Sequence, residues 1–281
     1  RFVDPVDDEV YLYSQFEVAD ARRVFACFDQ PDIKGTFTFT VDAPQHWVVV
    51  SNGSPTTSSP RNKSATRWKF SPTPVMSTYI TAIVAGPYHA VTDTYEGAGG
   101  TIPLGLYCRK SLAPHLDADE LFDLTKRGFA FFESAFGLAY PFDKYDQLFV
   151  PEFNAGAMEN AGAVTHHEDY VFRSRVTDAA YERRAETILH EMAHMWFGDL
   201  VTMAWWNDLW LNESFATWAS VLAQSARSWW SERVARRRRT SSSVNVWCVP
   251  VSLRTSGSSS IRRTLLCSGP MLLSSSSSHA G

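Results

Sequence analysis

The sequence contains little cysteine, no long apolar run and little net charge. Its 281 residues include four Cys, whose spacing resembles neither a disulfide framework nor a structural zinc site, and this fits a reducing compartment. No apolar stretch reaches the roughly 20 residues that a membrane-spanning helix needs. The formal net charge is -4, so the composition does not indicate a nucleic acid as the main partner. The chain is long enough for one large globular domain or two ordinary ones.

Strand-like patterns fill residues 1–108. Polar and apolar residues alternate or form short β-branched runs, and Pro, Gly or the turn at residues 51–53 separates one run from the next. The candidate strands are residues 36–41, 47–50, 67–70 and 79–84. This pattern predicts an antiparallel β domain over residues 1–108.

Helical periodicity begins near Leu112. One helix is predicted from about Asp178 to Phe197. Another is predicted from about Asn212, which is a suitable N-cap residue. The sequence therefore predicts an α+β chain, in which a mainly helical domain at residues 109–226 follows the β domain.

Residues 227–281 differ in composition from the rest of the chain. They are rich in Arg and Ser, contain almost no Asp or Glu, and include a basic run at 236–239 and a serine run at 274–278. Such a segment cannot bury enough apolar surface to offset its ordering entropy, so little stable structure is expected. An out-of-frame translation accounts for this composition better than a basic tail that binds nucleic acid or an anionic membrane.

His190, Glu191 and His194 form the pattern His-Glu-Met-Ala-His, and 18 residues separate His194 from Glu213. In a helix, residues four apart lie on one face, so both imidazoles can face one metal ion. Glu213 supplies a third ligand and leaves a fourth position open, which is typical of a catalytic zinc site. Glu191 projects beside the metal, where it can take a proton from a water molecule.

Several of these residues also have an ordinary explanation. The two His of the pattern could pack in the helix without a metal, although the well-placed third acidic residue weakens that reading. His166 and His167 are adjacent on an extended segment and point to opposite faces, so a role outside metal binding is expected. Asp208 could orient a ligand His or begin a helix. Core packing is the expected role of Trp205, Trp206, Trp210 and Trp218.

Five segments in order resemble the zinc aminopeptidases of the aminopeptidase N type, in their bacterial form. They are SQFE (14–17), ARRVFACFDQP (21–31), FNAGAMENAG (153–162), HEMAHMWFGDLV (190–201) and WWNDLWLNESFATW (205–218). The resemblance covers about residues 1–226. It implies a saddle-like antiparallel β domain followed by part of a thermolysin-like, mainly α catalytic domain. It further implies one zinc ion, peptide substrates with a free N-terminus and a cytoplasmic location. We also expect a monomer.

The resemblance also assigns roles to residues in the other segments. Glu159 matches the Glu of the family's GAMEN motif, and Glu17 matches an acidic residue of its N-terminal domain. Two carboxylates can clamp the α-ammonium group of a substrate through charge-assisted hydrogen bonds. Only the first peptide bond would then meet the metal site.

A peptide-binding surface follows from the same match. Gly156 and Ala157 are small, so an extended peptide backbone can approach them and pair as an added strand. Gln15 and Met158 are expected to line the pocket for the first side chain of the substrate.

The chain also departs from the family pattern. The family uses a Tyr hydroxyl beyond the third zinc ligand to stabilise the oxyanion of the reaction, and no Tyr follows Tyr181 in this sequence. The loss of one such donor costs on the order of 10²–10³ in rate. A zinc-binding but catalytically impaired fragment is therefore one alternative. The related epoxide hydrolases are another, although they usually carry Gly at the position of Ala157, and a non-enzymatic interaction module is a third.

Overall fold

The computed structural model describes residues 1–225, all within one compact unit. The expectation for residues 227–281 lies outside this range. The strands are β1 (Phe2–Val3), β2 (Val10–Tyr13), β3 (Thr40–Pro44), β4 (Val48–Ser51), β5 (Pro55–Pro60), β6 (Ala65–Phe70), β7 (Ile83–Gly86), β8 (His89–Gly97), β9 (Gly100–Cys108), β10 (Tyr145–Val150), β11 (Ala157–Met158) and β12 (Ala163–His167). The helices are α1 (Ala118–Phe136), α2 (Asp178–His194) and α3 (Leu209–Ser225). No helix in the described range is long and apolar enough to cross a membrane.

Two antiparallel sheets form the first part of the fold. One has the strand order β1-β2-β7-β4 and the other β3-β6-β5. The helical part follows, so the predicted α+β class, with an antiparallel β region before a helical region, is confirmed.

Two of the predicted strands start later than the sequence pattern indicates. β3 begins at Thr40 because Phe37 bonds to Thr73 outside a regular ladder, through its backbone N–H to Oγ1 at 3.0 Å. β7 begins at Ile83 because the side chain of Asn52 takes the place of a strand partner just before it. Asn52 Oδ1 accepts a bond from the backbone N–H of Ala82 at 2.8 Å.

A five-stranded mixed sheet follows, with the order β11-β12-β10-β9-β8. β9, β10 and β12 are parallel, whereas β8 and β11 run antiparallel to their neighbours at the two edges. Residues 89–108 therefore belong to the same sheet as residues 145–167. This pairing favours a domain boundary before His89, and the boundary predicted after Cys108 stays a prediction.

The three helices cover one face of the mixed sheet. Their apolar stripes and the sheet form a core that includes Leu106, Phe129, Phe149, Val164, Ile188, Leu189, Met192 and Ala219. α1 begins after Leu112, because residues 110–115 form a 3₁₀ turn that contains Pro114. Its last residue is Phe136, and the cap residue Gly137 follows with a φ of 64°, which suits a residue without a side chain.

A second core joins the opposite face of the mixed sheet to the four-stranded sheet. Its buried members include Tyr11, Tyr79, Ile80, Val84, Leu148, Val150 and Ala163. The Asn52 amide also ties the two parts together, because Nδ2 donates to the carbonyls of Ile80 at 2.8 Å and Ala161 at 2.9 Å. This shared core holds the segment after β2 against the segment after β11.

The helix ends differ from those predicted. α3 begins at Leu209, so Asn212 is inside the helix and not its N-cap. Its buried amide Nδ2 contacts Met203 Sδ at 3.3 Å instead of a helix terminus. α2 ends at His194 because the next residues bond to carbonyls three residues back, as in Met195 N–H to Met192 O at 3.2 Å.

Candidate functional site

α2 places two imidazoles on one face, as the spacing of four predicts. The helix starts with Thr177 as its N-cap, whose side chain accepts a bond from Ala180 N–H. At its last turn, His190 Nε2 and His194 Nε2 are 3.1 Å apart. His194 is fully buried in the described structure, and its ring meets that of His190 edge to face.

α3 brings Glu213 to the same point. Glu213 Oε2 lies 3.2 Å from His190 Nε2, and Oε1 lies 3.5 Å from His194 Nε2. α2 and α3 approach closely because α3 presents small buried residues to the interface, among them Ala216 and Ala219. One ligand atom from each of the three residues lies within 4.8 Å of the others.

This donor set fits a zinc ion. Two imidazole nitrogens and one carboxylate oxygen are ligands that zinc prefers, and they leave a position open for another ligand. Burial raises the pKa of Glu213, but the hydrogen bond to His190 and the charges of both His residues outweigh it and lower that pKa. Burial and the neighbouring His190 lower the pKa of His194 to about 4, which keeps a lone pair on one of its two ring nitrogens.

Two further contacts orient the imidazoles, and the sequence reading missed both. His194 Nδ1 lies 3.2 Å from the carbonyl of Phe197, so a proton on Nδ1 donates there and leaves Nε2 free. His190 Nδ1 lies 3.5 Å from Thr217 Oγ1. Of the two, only Thr217 could be selected from its position, because it stands four residues after Glu213 on the same predicted helix.

Glu191 lies beside the three donors. Its carboxylate, the Glu159 carboxylate and His194 each offer an atom within 4.8 Å of the others. Burial raises the pKa of Glu191 well above its ordinary value, and the nearby carboxylates of Glu159 and Glu213 add to the effect. A cation among these groups would favour their charged forms.

Glu159 and Glu17 also converge on Glu213, with one carboxylate oxygen each within 4.8 Å. Glu159 directly follows β11, while Glu17 comes from the segment after β2. Burial raises the pKa of Glu17, and the charges of Glu159 and Glu213 raise it further. Burial and Glu213 likewise raise the pKa of Glu159. The structure therefore brings the two predicted ammonium-binding residues together next to the predicted metal ligands.

The remaining predicted residues surround this cluster. Gln15 Nε2 donates to Met158 Sδ at 3.1 Å, which links the two expected pocket residues. Ala157 pairs with His166 in β12, and β11 is the edge strand of the mixed sheet. Among residues 1–225, a Cβ at the exposed Gly156 would have only Tyr170 OH within 4 Å, at 3.8 Å, so there is room beside this residue.

Asp199 and Lys34 are neighbours of the site that the sequence reading did not select. Asp199 is 1% exposed, and neither of its carboxylate oxygens has a hydrogen-bond partner among residues 1–225. Burial and the charge of Glu159 raise the pKa of Asp199 well above its ordinary value. Lys34 Nζ donates to the backbone carbonyls of Asp199 at 2.8 Å and Leu200 at 3.1 Å, and so ties the first part of the chain to the loop after α2.

The structure treats the other candidates differently. Asp208 lies in the 3₁₀ turn before α3, where it accepts a weak bond from Asn207 at 3.5 Å.

The prediction that the Trp cluster packs in the core was wrong for three of its members. The exposed ones are Trp205 at 51%, Trp210 at 62% and Trp218 at 43%. α3 uses its small residues against α2, so its Trp side chains face outward.

His166 is fully buried and stacks on Phe149, with ring centroids 5.3 Å apart. Neither ring nitrogen has a partner among residues 1–225, and His166 belongs to none of the metal-capable groups in that range. Burial lowers the pKa of His166 to about 3. Since an unfolded His has a pKa of about 6.5, unfolding takes up a proton between these values. Stability is therefore lost as the pH falls from about 6.5 towards 3.

His166→Phe is expected to remove this pH dependence. From pH 7 to pH 5 the native chain should lose about 2 kcal/mol of unfolding free energy through His166, and the variant should lose correspondingly less. Urea titrations at both pH values measure the difference. His89→Gln, which changes a His of β8, should keep the native slope. Equal losses in His166→Phe and the native chain would show that His166 takes up no proton on unfolding.

Comparison with known proteins adds a second line of evidence. The model of the peptidase M1 N-terminal domain matches residues 2–80, and that of the peptidase family M1 domain matches residues 120–249. Aminopeptidase N of Streptomyces lividans is 67% identical over 226 residues, which are 80% of this chain and 26% of the relative. Aminopeptidase N of Mus musculus is 39% identical over 228 residues, or 79% of this chain and 23% of the relative.

A third relative is matched over a larger share of its own length. Aminopeptidase N of Acetobacter pasteurianus is 39% identical over 210 residues, which are 74% of this chain and 58% of the relative. By contrast, the chain spans only about a quarter of the length of the Streptomyces and mouse proteins. Both matched regions contain predicted site residues, with Glu17 in the first and the Glu159 to Glu213 set in the second.

Proposed function

Because the chain belongs to the peptidase M1 family, we propose that residues 1–225 carry the metal centre and the N-terminus-binding site of a zinc-dependent aminopeptidase. The observation that supports this most strongly is the meeting of two groups of side chains. The donors His190, His194 and Glu213 lie together, and the carboxylates of Glu159 and Glu17 adjoin them through Glu213.

His190, His194 and Glu213 would hold the zinc ion, each through one atom. When bound, zinc supplies Lewis-acid chemistry, because it acidifies a water molecule and polarises a peptide carbonyl. The protein fixes the two imidazoles through the Phe197 carbonyl and Thr217 Oγ1. These contacts orient the rings before a ligand arrives, which lowers the cost of binding it.

Glu191 would be the general base. Its carboxylate is buried next to the donor set and not part of it. One oxygen would take a proton from the attacking water and later give it to the nitrogen of the leaving amine. The buried surroundings limit competing solvent, so the proton stays between the substrate and this side chain.

Glu159 and Glu17 would bind the α-ammonium group of the substrate. Two carboxylates can accept two of its three N–H donors, and the charge makes these bonds strong. Since Glu213 joins this pair to the metal donors, the first peptide bond would lie at the reactive position. A peptide with a blocked N-terminus lacks the charge and would bind poorly.

The edge strand β11 would hold the backbone of the substrate. Its free edge can pair with an extended peptide, and Gly156 and Ala157 leave room for one. Gln15 and Met158 would contact the first side chain of the substrate. The cytoplasmic location and the monomeric state stay predictions.

The proposal is tested with the chain itself. Purified chain is expected to bind one zinc ion, and His194→Ala is expected to bind less than a tenth of that at equal free zinc. Zinc-loaded chain should release the chromophore from a leucyl arylamide and not from its N-acetyl derivative, and a chelator should stop the release. Chain that binds no zinc at His190, His194 and Glu213 would contradict the proposal.

A second candidate is a zinc-binding chain with weak activity. The observation in its favour is that no Tyr follows Tyr181, whereas the family resemblance calls for an oxyanion-stabilising Tyr there. One zinc ion per chain together with turnover about 10²–10³-fold below that of Streptomyces lividans aminopeptidase N would support it. Equal turnover would exclude it.

A further inference from the structure

Three carboxylates meet beside the candidate zinc site. One oxygen each from Glu17, Glu159 and Glu213 lies within 4.8 Å of the other two. Glu213 also belongs to the donor set with His190 and His194, so the two groups share one carboxylate. Glu17 and Glu159 contribute nothing to that donor set, and they form an oxygen-only group next to it.

Glu159 brings a buried carboxylate oxygen without a partner to this group. The residue is 3% exposed, and its Oε1 has no hydrogen-bond partner among residues 1–225. A buried carboxylate oxygen without a partner is costly, because it has lost its hydration and gained nothing in exchange. A cation among the three carboxylates would supply the missing interaction.

The charges leave room for more than one cation. In their charged forms, which a nearby cation favours, Glu17, Glu159, Glu191 and Glu213 carry four negative charges, and one zinc ion balances two. The ammonium group of a substrate would balance one more. A divalent cation would balance both that remain, and it would meet carboxylate oxygens only.

Oxygen-only sites favour hard cations such as Mn²⁺, Ca²⁺ and Mg²⁺, whereas the imidazole donors favour zinc. Two metal ions of one site lie about 3.5–4 Å apart, and a carboxylate with two oxygens can bind one ion through each. Glu213 belongs to both groups, and its two oxygens lie 3.2 Å from His190 Nε2 and 3.5 Å from His194 Nε2. It can therefore serve both sites.

We propose that Glu17, Glu159 and Glu213 form a second cation site for a hard divalent cation, and that a cation there excludes the α-ammonium group of a substrate. The competition rests on the proposed function, since it needs the ammonium group to bind the same carboxylates. It makes hard divalent cations competitive inhibitors of the site. The half-buried Glu17 and Glu213 leave the group reachable from solvent.

Glu159, Glu191 and His194 form another group within 4.8 Å. It is less suitable for a second cation, because all three residues are buried and His194 already belongs to the zinc donors. A substitution of Glu191 distinguishes the two groups as cation sites, since Glu191 belongs to this group and not to the proposed one.

Mn²⁺ titration of the zinc-loaded chain tests the site. Free Mn²⁺ is followed by electron paramagnetic resonance, and the zinc content is measured before and after. One Mn²⁺ should bind per chain while the zinc content stays at one. Glu17→Gln and Glu159→Gln should each weaken Mn²⁺ binding by about tenfold or more, because each removes one charged ligand. Glu186→Gln, an exposed change on α2, should leave it unaltered.

Three results would overturn the site. They are no Mn²⁺ bound beside zinc, Mn²⁺ binding that Glu17→Gln leaves unaltered, and binding that Glu191→Gln abolishes. Displacement of zinc by Mn²⁺ would also count against it, because the cation would then occupy the His190 site. None of these readouts depends on hydrolysis.

A binding competition separates this inference from the proposed function. Leucine amide should displace Mn²⁺ from the zinc-loaded chain, and N-acetyl-leucine amide should not. If Mn²⁺ binds through Glu17 and Glu159 and leucine amide does not displace it, the competition is overturned. This result would also count against the binding of an ammonium group by these two residues. Absence of zinc at His190 and His194 would instead count against the proposed function alone.

Discussion

Glu191→Gln is expected to reduce the turnover of a leucyl arylamide by about 10²–10⁴-fold, which is the usual contribution of a general base. Gln has nearly the same shape as Glu but no basic oxygen. The zinc content should stay at one ion per chain, because Glu191 is not among the three donors. The change should act mainly on kcat, since the proton moves only during the reaction.

Glu186→Gln is the matched control, because Glu186 is an exposed residue of the same helix. It should leave turnover and zinc content as they are. A change of Glu to Gln at the position of Streptomyces lividans aminopeptidase N that matches Glu191 repeats the measurement in a longer relative. Undiminished turnover in both Glu191→Gln proteins would contradict the role of general base.

Local sequence patterns predicted much of the candidate site. The spacing of His190 and His194 fixes their common face once the segment is helical, whatever surrounds it. The segment around Glu159 is recognisable in the same way, because it lies within one short motif. The relative positions of such residues can be predicted from the sequence, because only a helix turn or a short loop separates them.

Contacts between distant segments could not be read in this way. Glu17 and Glu159 meet because the second core packs the four-stranded sheet against the mixed sheet, and Asn52 joins the two parts. The motif resemblance named both residues, but neither periodicity nor spacing gave their distance. Lys34 and Asp199 show the same limit, because their contact links residues 165 positions apart.

The outward-facing Trp residues of α3 show where composition misleads. Large aromatic residues are usually buried, and that expectation placed Trp210 and Trp218 in the core. The helix instead buries Ala216, Ala219 and Ala223. Small residues allow α3 to approach α2 closely enough for Glu213 to reach the two His residues. The close contact between α2 and α3 therefore accounts for the burial of the face of α3 that carries the small residues.

Glu159→Gln is expected to lower kcat/KM for a leucyl arylamide by about 10–100-fold, because a hydrogen bond to a charged group contributes about 1.5–3 kcal/mol. The ammonium group is bound in both the ground state and the transition state. The loss should therefore fall mainly on KM. On an arylamide that lacks the α-amino group, Glu159→Gln and the native chain should have the same rate. The preference of the variant for a free N-terminus should therefore largely disappear.

Stability separates this effect from damage to the fold. Glu159→Gln removes one negative charge from a crowded, buried group, so the unfolding free energy of the metal-free chain should stay the same or rise. Glu152→Gln, an exposed change on the segment that leads to β11, should alter neither KM nor the preference. If Glu159→Gln lowers activity equally on substrates with and without the amino group, Glu159 is a structural residue. If the preference collapses while stability and zinc content hold, its carboxylate binds the N-terminus.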